Sequence, residues 1–253
     1  RELLDRVTAL IARLGVTECF RGMLQVHYGD AICTPPEGTL ADCPTSIVIP
    51  NLNGIPHVKD CVATLREHTD GPYELIIIDN GSSDGSLEWL REQPDVTLLE
   101  MGENIGAPAA RNAGLQVATG GTIVFSDNDL MFTPRWRELL IAQLESWPDI
   151  GIVGPMSDYV SGSQKTEERE RKKESLDAFA RRFTKEHAGE HLYSRRLILF
   201  FMMCRRELID RIGGIDPIYG RWGYEDDDLC LRTRIAGYEM RVAKDCFIRH
   251  LGS

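Results

Sequence analysis

The chain has 253 residues, 42% hydrophobic and 27% charged, with a formal net charge of -10. That length and apolar share suffice for one large α/β domain or two small ones with a real core. The acidic balance argues against non-specific nucleic-acid binding, which needs a basic surface to neutralise phosphates, and no apolar run reaches membrane-spanning length.

Leu3, Leu4, Val7, Leu10, Ile11 and Leu14 recur at helical spacing. The stretch from there to Pro44 carries Pro35-Pro36 and several glycines, so residues 1–44 read as a helix and a connecting arm. Regular patterning starts at Thr45-Ser46-Ile47-Val48-Ile49-Pro50, a β-rich run stopped by proline. A turn over Asn51–Gly54 places Pro56 in the first turn of a helix that ends near His68. Strands are expected at Tyr73–Ile78, Val96–Leu99 and Gly121–Phe125, with helices around Leu87–Leu90 and Ala109–Gly114 between them. Trp136–Trp147 reads as a helix and Ile150–Val153 as a strand.

Strands alternating with helices at this spacing indicate βαβ units and a largely parallel sheet. Right-handed crossovers place the C-terminal ends of such strands on one edge. Pro50–Asn53, Asp79–Asp84 and Asp127–Asp129 are therefore expected on one rim, where open α/β sheets bind their ligands. The oxygen ligands of Asp127-Asn128-Asp129 can hold a hard divalent cation, which in turn can hold a diphosphate. An isolated Asp-X-Asp is more often a polar turn closing a strand, and the metal reading gains from the residues that follow. Asn80–Gly85 begins like a calcium loop, but Arg91 stands where a bidentate Glu is required. Gly102 and Gly106 make no GxGxxG fingerprint, and no GxxxxGK[ST] is present.

Beyond Val153 the pattern loosens. Met156–Gln164 is rich in Ser and Gly, and Lys165–Glu174 is a mixed-charge run with Glu167/Arg171 and Glu168/Lys172 at i,i+4 spacing. This region reads as a solvated helix or a mobile loop, with a lid over bound substrate as the functional alternative. Leu197–Cys204 is an apolar strand candidate, Arg205–Ile212 a short helix and Gly213–Pro217 a turn. Glu225-Asp226-Asp227-Asp228 opens another helix, where acids suit the positive end of the dipole. Successive helical residues point about 100° apart, so one or two of the four face a given pocket. Asp226 is expected on the rim, with Asp228 bracing the loop and Glu225 turned toward an acceptor. His250 follows a short strand, Cys246–Arg249, and at that place becomes a third metal-ligand candidate. The seven cysteines include no CxxC pair, and several lie in apolar runs. That usage fits a reducing, cytoplasmic compartment and speaks against structural zinc.

The segments SIVIPNLNG, ELIIIDNGSSDGS, ENIGAPAARNAG, TIVFSDNDLMFTP, GGIDPIYGRWGYEDDDLCLRTRIAGYEM and CFIRHLGS together resemble the family 2 glycosyltransferases, in that family's order, from Thr45 onward. The resemblance implies an α/β GT-A fold: a Rossmann-like nucleotide-sugar-binding half with a mostly parallel sheet over 45–130, and an acceptor and catalytic half over 131–253. It also implies metal-dependent, inverting transfer of a sugar from a nucleoside-diphosphate sugar to a hydroxyl. Carried onto this chain, Pro50, Asn51 and Leu52 line the base pocket, with Asp79 accepting a hydrogen bond from the base. Arg111 positions the nucleotide or its phosphates, and Asp127 and Asn128 approach the ribose and metal shell. Asp129 and His250, with Asp127, hold Mn2+ or Mg2+, and Asp226 is the general base. Trp222, Tyr224 and Glu225 are acceptor-side candidates; core packing is the other reading of the two aromatics. The chain departs from many members at Asn51-Leu52, where an aromatic commonly precedes the Asn.

The implied acceptor is a glycan, a lipid-linked intermediate or a protein, in bacterial surface-polysaccharide or other glycan assembly. Some members lie within longer multidomain chains, and a cytoplasmic location with at most peripheral membrane contact is expected. From the residues alone, a metal-dependent phosphohydrolase or nucleotidyltransferase also uses clustered carboxylates, and a non-catalytic nucleotide- or glycan-binding module keeps the fold without turnover. The Gly-rich, Arg-containing loop of sugar nucleotidyltransferases is missing after the first strand, and a pure binder has no use for a base.

Overall fold

The computed structural model describes residues 39–221 and 223–252. The helix expected over Glu2–Leu14, most of the arm, Cys19, Cys33 and Trp222 lie outside the described residues. The described residues form ten strands and seven α-helices. In order these are β1 (Thr45–Asn51), α1 (Ile55–His68), β2 (Tyr73–Asp79), α2 (Ser86–Arg91), β3 (Val96–Glu100), α3 (Ala107–Val117), β4 (Thr122–Ser126), β5 (Leu130–Met131) and α4 (Trp136–Glu145). There follow β6 (Ile150–Met156), α5 (Leu176–Glu186), β7 (His191–Ser194), β8 (Phe201–Arg205), α6 (Arg206–Ile212), α7 (Glu225–Ile235), β9 (Glu239–Phe247) and β10 (Arg249–His250).

Eight strands form one sheet in the order β3-β2-β1-β4-β8-β6-β9-β7, and β10 pairs with β5 in a small second sheet. β1 to β4 run parallel, as the alternation of strands and helices predicts. β8 is antiparallel to both β4 and β6, β6 is parallel to β9, and β7 is antiparallel to β9.

The apolar runs are continuous because the central strands are buried on both faces. Along β2, Leu75 and Ile77 point to the layer containing α1, α2 and α4, whereas Ile76 and Ile78 point to the layer containing α3, α5, α6 and α7. β4 divides the same way, Val124 against Ile123 and Phe125. This is the period-two alternation of a strand. At Gly114 a Cβ would stand 2.5 Å from Val48 Cγ1 and 2.7 Å from Ile78 Cδ1. A glycine there lets α3 lie close on the sheet. The buried Arg137 of α4 ties the arm down, donating to the carbonyls of Ala41 and Cys43 at 3.1 and 2.8 Å and to Thr45 Oγ1 at 2.8 Å.

Three expectations need correction. Of the two readings of residues 165–174 the helix is the one that fails: they form none, and Glu167 pairs with Lys165 at 2.8 Å rather than with Arg171. The helix starts after Ser175, whose hydroxyl accepts from Ala178 N, because the apolar stripe Leu176, Phe179, Ala180 and Phe183 begins there. Leu197–Phe200 is buried loop, and the strand is confined to Phe201–Arg205. The Leu197 backbone is engaged by Cys230 of α7 and so does not extend the ladder. The C-terminal strand begins well upstream at Glu239 and breaks at Ile248, which separates β9 from β10.

Candidate active site

The parallel half brings its strand ends together on one rim. Asn51 Oδ1 accepts from Asn128 Nδ2 at 2.7 Å, and Asn51 Nδ2 donates to Asp79 Oδ2 at 3.3 Å and Ser82 Oγ at 3.2 Å. β1, β2 and the turn after β4 are thereby stitched side by side. Buried Asp79 also accepts from the backbone of Gly81 and Ser82 at 3.2 and 2.9 Å, which folds the 80–86 loop. Pro50 is half-buried, and Leu52 stands exposed at the edge.

Arg111 is buried behind Asp127, pairing with its Oδ1 and donating to the Leu199 carbonyl at 3.3 Å. Its position is that of a brace on the acid. Burial pushes the Asp127 carboxyl up, Arg111 pulls it back and Asp129 adds to the rise, which leaves it at about 6. The side chain still keeps 34% of its surface open.

Asp129 is buried, and His250 Nε2 lies 3.2 Å from its Oδ1. One ligand atom each from Asp127, Asp129 and His250 lies within 4.8 Å of the others. His250 reaches this place because β10 pairs antiparallel with β5, His250 opposite Leu130, and because Leu251 N donates to the Asp129 carbonyl at 3.0 Å. Phe200 stacks on the imidazole at 5.4 Å and Tyr159 meets it edge-on at 5.6 Å. Burial is the largest single influence and lowers the imidazole pKa, but the hydrogen bond to Asp129, the charges of Asp129 and Asp127 and the Tyr159 carbonyl together outweigh it, and the net shift is upward.

α7 delivers the second acidic cluster. Its N-cap Tyr224 sits in the left-handed region at φ 69° and is 75% exposed. A tyrosine held in that strained conformation is a feature that collects at functional sites. Glu225 is buried, accepts from Gly223 N, and is near enough to push the Asp127 carboxyl up. Asp228 pairs with Arg232 at 2.7 Å, and Arg232 donates to the Ile212, Gly213 and Gly214 carbonyls, so Asp228 braces the preceding turn as expected.

Asp226 is buried, and burial raises its pKa against the pull of the Asp227 amide and of Arg196. Arg196 Nη2 lies 3.5 Å from Asp226, and its Nε lies 2.7 Å from Asp227. The loop that carries Arg196 continues to Leu199 and Phe200, whose carbonyls accept from Arg111 and from Asp127 N. Arg196, Asp158 and Tyr159 were invisible to sequence reasoning, since each sits in a segment without periodicity.

The sequence matches glycosyl transferase family 2 over residues 46–213. The chain belongs to that family. A second match, described as the N-terminal domain of galactosyltransferase, covers residues 182–250. An uncharacterized glycosyltransferase of Bacillus subtilis, YwdF, is 27% identical over 81% of this chain and 70% of its own length. Two solved structures share the fold: GalNAc-T7 with UDP, GalNAc and Mn2+ (TM-score 0.67, 19% identity, 82% of this chain and 43% of that one), and the mannosyltransferase PcManGT of Pyrobaculum calidifontis with GDP-Man and Mn2+ (TM-score 0.59, 20% identity, 94% of this chain and 67% of that one). The chain thus spans less than half the length of GalNAc-T7. The family 2 chain has the GT-A architecture of these neighbours. Among its described residues no helix is long and apolar enough to cross a membrane.

Proposed function

We propose that this family 2 glycosyltransferase moves a sugar, with inversion, from a nucleoside-diphosphate sugar to an acceptor hydroxyl in a divalent-cation-dependent reaction. The observation that carries the reading is the meeting of Asp127, Asp129 and His250 at the end of β4, with ligand atoms within 4.8 Å of one another. Two carboxylates and an imidazole fit Mn2+ or Mg2+, the nitrogen ligand favouring Mn2+. Both structural neighbours were solved with Mn2+, and one with a nucleotide sugar. A cation held there supplies positive charge for the diphosphate leaving group.

The remaining roles are those the family resemblance implies, and the positions of the residues support them. Pro50, Asn51, Leu52 and Asp79 form the nucleoside side of the rim, with Leu52 offering an aliphatic face. Arg111 acts through Asp127, holding its carboxylate in place. Asn128, tied to Asn51, fixes the turn that carries both metal-side acids. Asp226 takes the proton of the attacking hydroxyl as the glycosidic bond forms. Its buried setting raises its pKa toward working pH, as a general base requires. The exposed Tyr224 ring and Glu225 flank it on the acceptor side, with Trp222 adjacent in sequence. Residues 45–130 form the donor half and 131–253 the acceptor half. The acceptor is a glycan, a lipid-linked intermediate or a protein, and the buried thiols support a cytoplasmic setting.

A panel of nucleotide sugars, each with and without Mn2+, tests this by thermal shift. One donor is expected to raise the melting temperature in an Mn2+-dependent manner, and product analysis should then show intact sugar transfer. Release of free phosphate would instead mark a phosphohydrolase, and stabilisation without product a binding module.

A further inference from the structure

Residues 157–174 cross from the end of β6 to the start of α5 as a strap, and its first part is a closed loop. Ser157 N donates to the Gln164 carbonyl at 2.8 Å, and Thr166 N to the Ser157 carbonyl at 2.9 Å. Gln164 is buried at its centre, donating to the Pro155 carbonyl at 3.2 Å and accepting from Ile198 N at 2.7 Å.

This strap grips β10 at three points. Asp158 Oδ2 lies 2.8 Å from Arg249 Nε, and Asp158 Oδ1 accepts from His250 N at 3.4 Å. The Tyr159 carbonyl meets His250 Nδ1 at 2.6 Å. Glu170 takes the other arm of the Arg249 guanidinium. The side chains of Asp158, Arg249 and Glu170 are 14%, 21% and 24% exposed, so this network is shielded from solvent far more than a surface pair.

A carbonyl only accepts, so Nδ1 carries a hydrogen, and in the neutral ring the Nε2 lone pair faces Asp129. β10 and β5 are each two residues long, too short a ladder to hold a metal ligand rigidly. We propose that the strap is the clamp of the cation site, with Asp158 and Glu170 as positioning residues that hold Arg249, and through it β10, so that His250 stays aimed at Asp127 and Asp129. This rests on those three residues being the cation's ligands, as proposed above. It also gives the charged run 165–174 a function other than that of a free lid: Glu170 locks the strap to the site.

The test is titration of Mn2+ alone into the full chain, followed by the electron paramagnetic resonance signal of the free ion. Loss of groups that orient metal ligands costs about 10–100-fold in affinity. The Asp158→Asn/Glu170→Gln double variant is expected to lose that much, and each single variant less. Glu167→Gln, at an exposed residue of the same strap that pairs with Lys165, is expected to bind as wild type. Should the double variant not fold, Arg249→Lys keeps the charge but loses the two-pronged grip, and the same direction of change is expected. A double variant that melts earlier yet binds Mn2+ like wild type overturns the clamp and leaves a structural ion network. His250→Ala separates the two claims. If wild type binds, His250→Ala does not and the double variant does, the clamp alone falls; if wild type fails to bind Mn2+, the cation reading falls with it.

Discussion

In residues 45–131 three groups of the candidate site sit where a strand of a βαβ unit ends, Asn51 on β1, Asp79 on β2 and Asp127 just past β4, and α3 supplies the bracing Arg111. In residues 150–252 the partner groups come from a loop (Arg196), a strap (Asp158 and Tyr159), the first turn of a helix (Asp226) and a two-residue strand (His250). The first half positions chemistry by repeating one unit, so a single register error would move a whole side of the pocket. The second half positions it by individual long-range bonds, such as Leu251 N to the Asp129 carbonyl or Arg249 to Asp158. Its pieces are separately adjustable, which suits the side proposed to meet the acceptor.

That contrast makes distinct predictions. The largest effect belongs to Asp226→Asn, expected to cut transfer by about 10²–10⁴-fold, the usual span of general-base catalysis, while leaving donor affinity intact. Paired transfer assays and calorimetry check it, and undiminished turnover would place the base elsewhere. Next, Asp129→Ala and His250→Ala each remove one half's contribution to the proposed cation site. Both should erase the Mn2+-dependent part of the donor's thermal shift, to similar extents. A loss confined to Asp129→Ala would mean the first half binds the cation alone.

Gly114→Ala probes the scaffold of the first half. The added methyl would overlap Val48 and Ile78, so a loss of about 1–3 kcal/mol is expected in urea unfolding, with Mn2+ affinity retained.

The smallest effect should come from Arg196→Ala. Burial raises the Asp226 pKa and Arg196 lowers it, so removing the guanidinium raises it further. A general base works ionised; the acid limb of the pH–rate profile should therefore move to higher pH, and Arg196→Lys should move it back. Because Arg196 is more than half exposed, salt should weaken the difference. An unmoved limb would show that Arg196 only packs the loop.

By itself the sequence determined the parallel half. The apolar runs of β1, β2 and β4 declare strands buried on two faces, and the chirality of crossovers then forces Asn51, Asp79 and Asp127 onto one rim. Asp228 bracing a loop is likewise an expectation from sequence, and it pairs with Arg232 one helical turn away; that Arg232 reaches the carbonyls of Ile212 to Gly214 is a tertiary matter. Tertiary structure alone decided how the other half closes on that rim. Nothing within Leu197–Phe200 says that an apolar run will be a loop: that depends on Cys230 and Arg111, which are remote in sequence. Equally, nothing near Lys165–Glu174 says that Glu170 will meet Arg249 rather than form i,i+4 pairs. Periodicity reports which face of an element is buried; which distant side chain completes an ion pair depends on how whole elements pack.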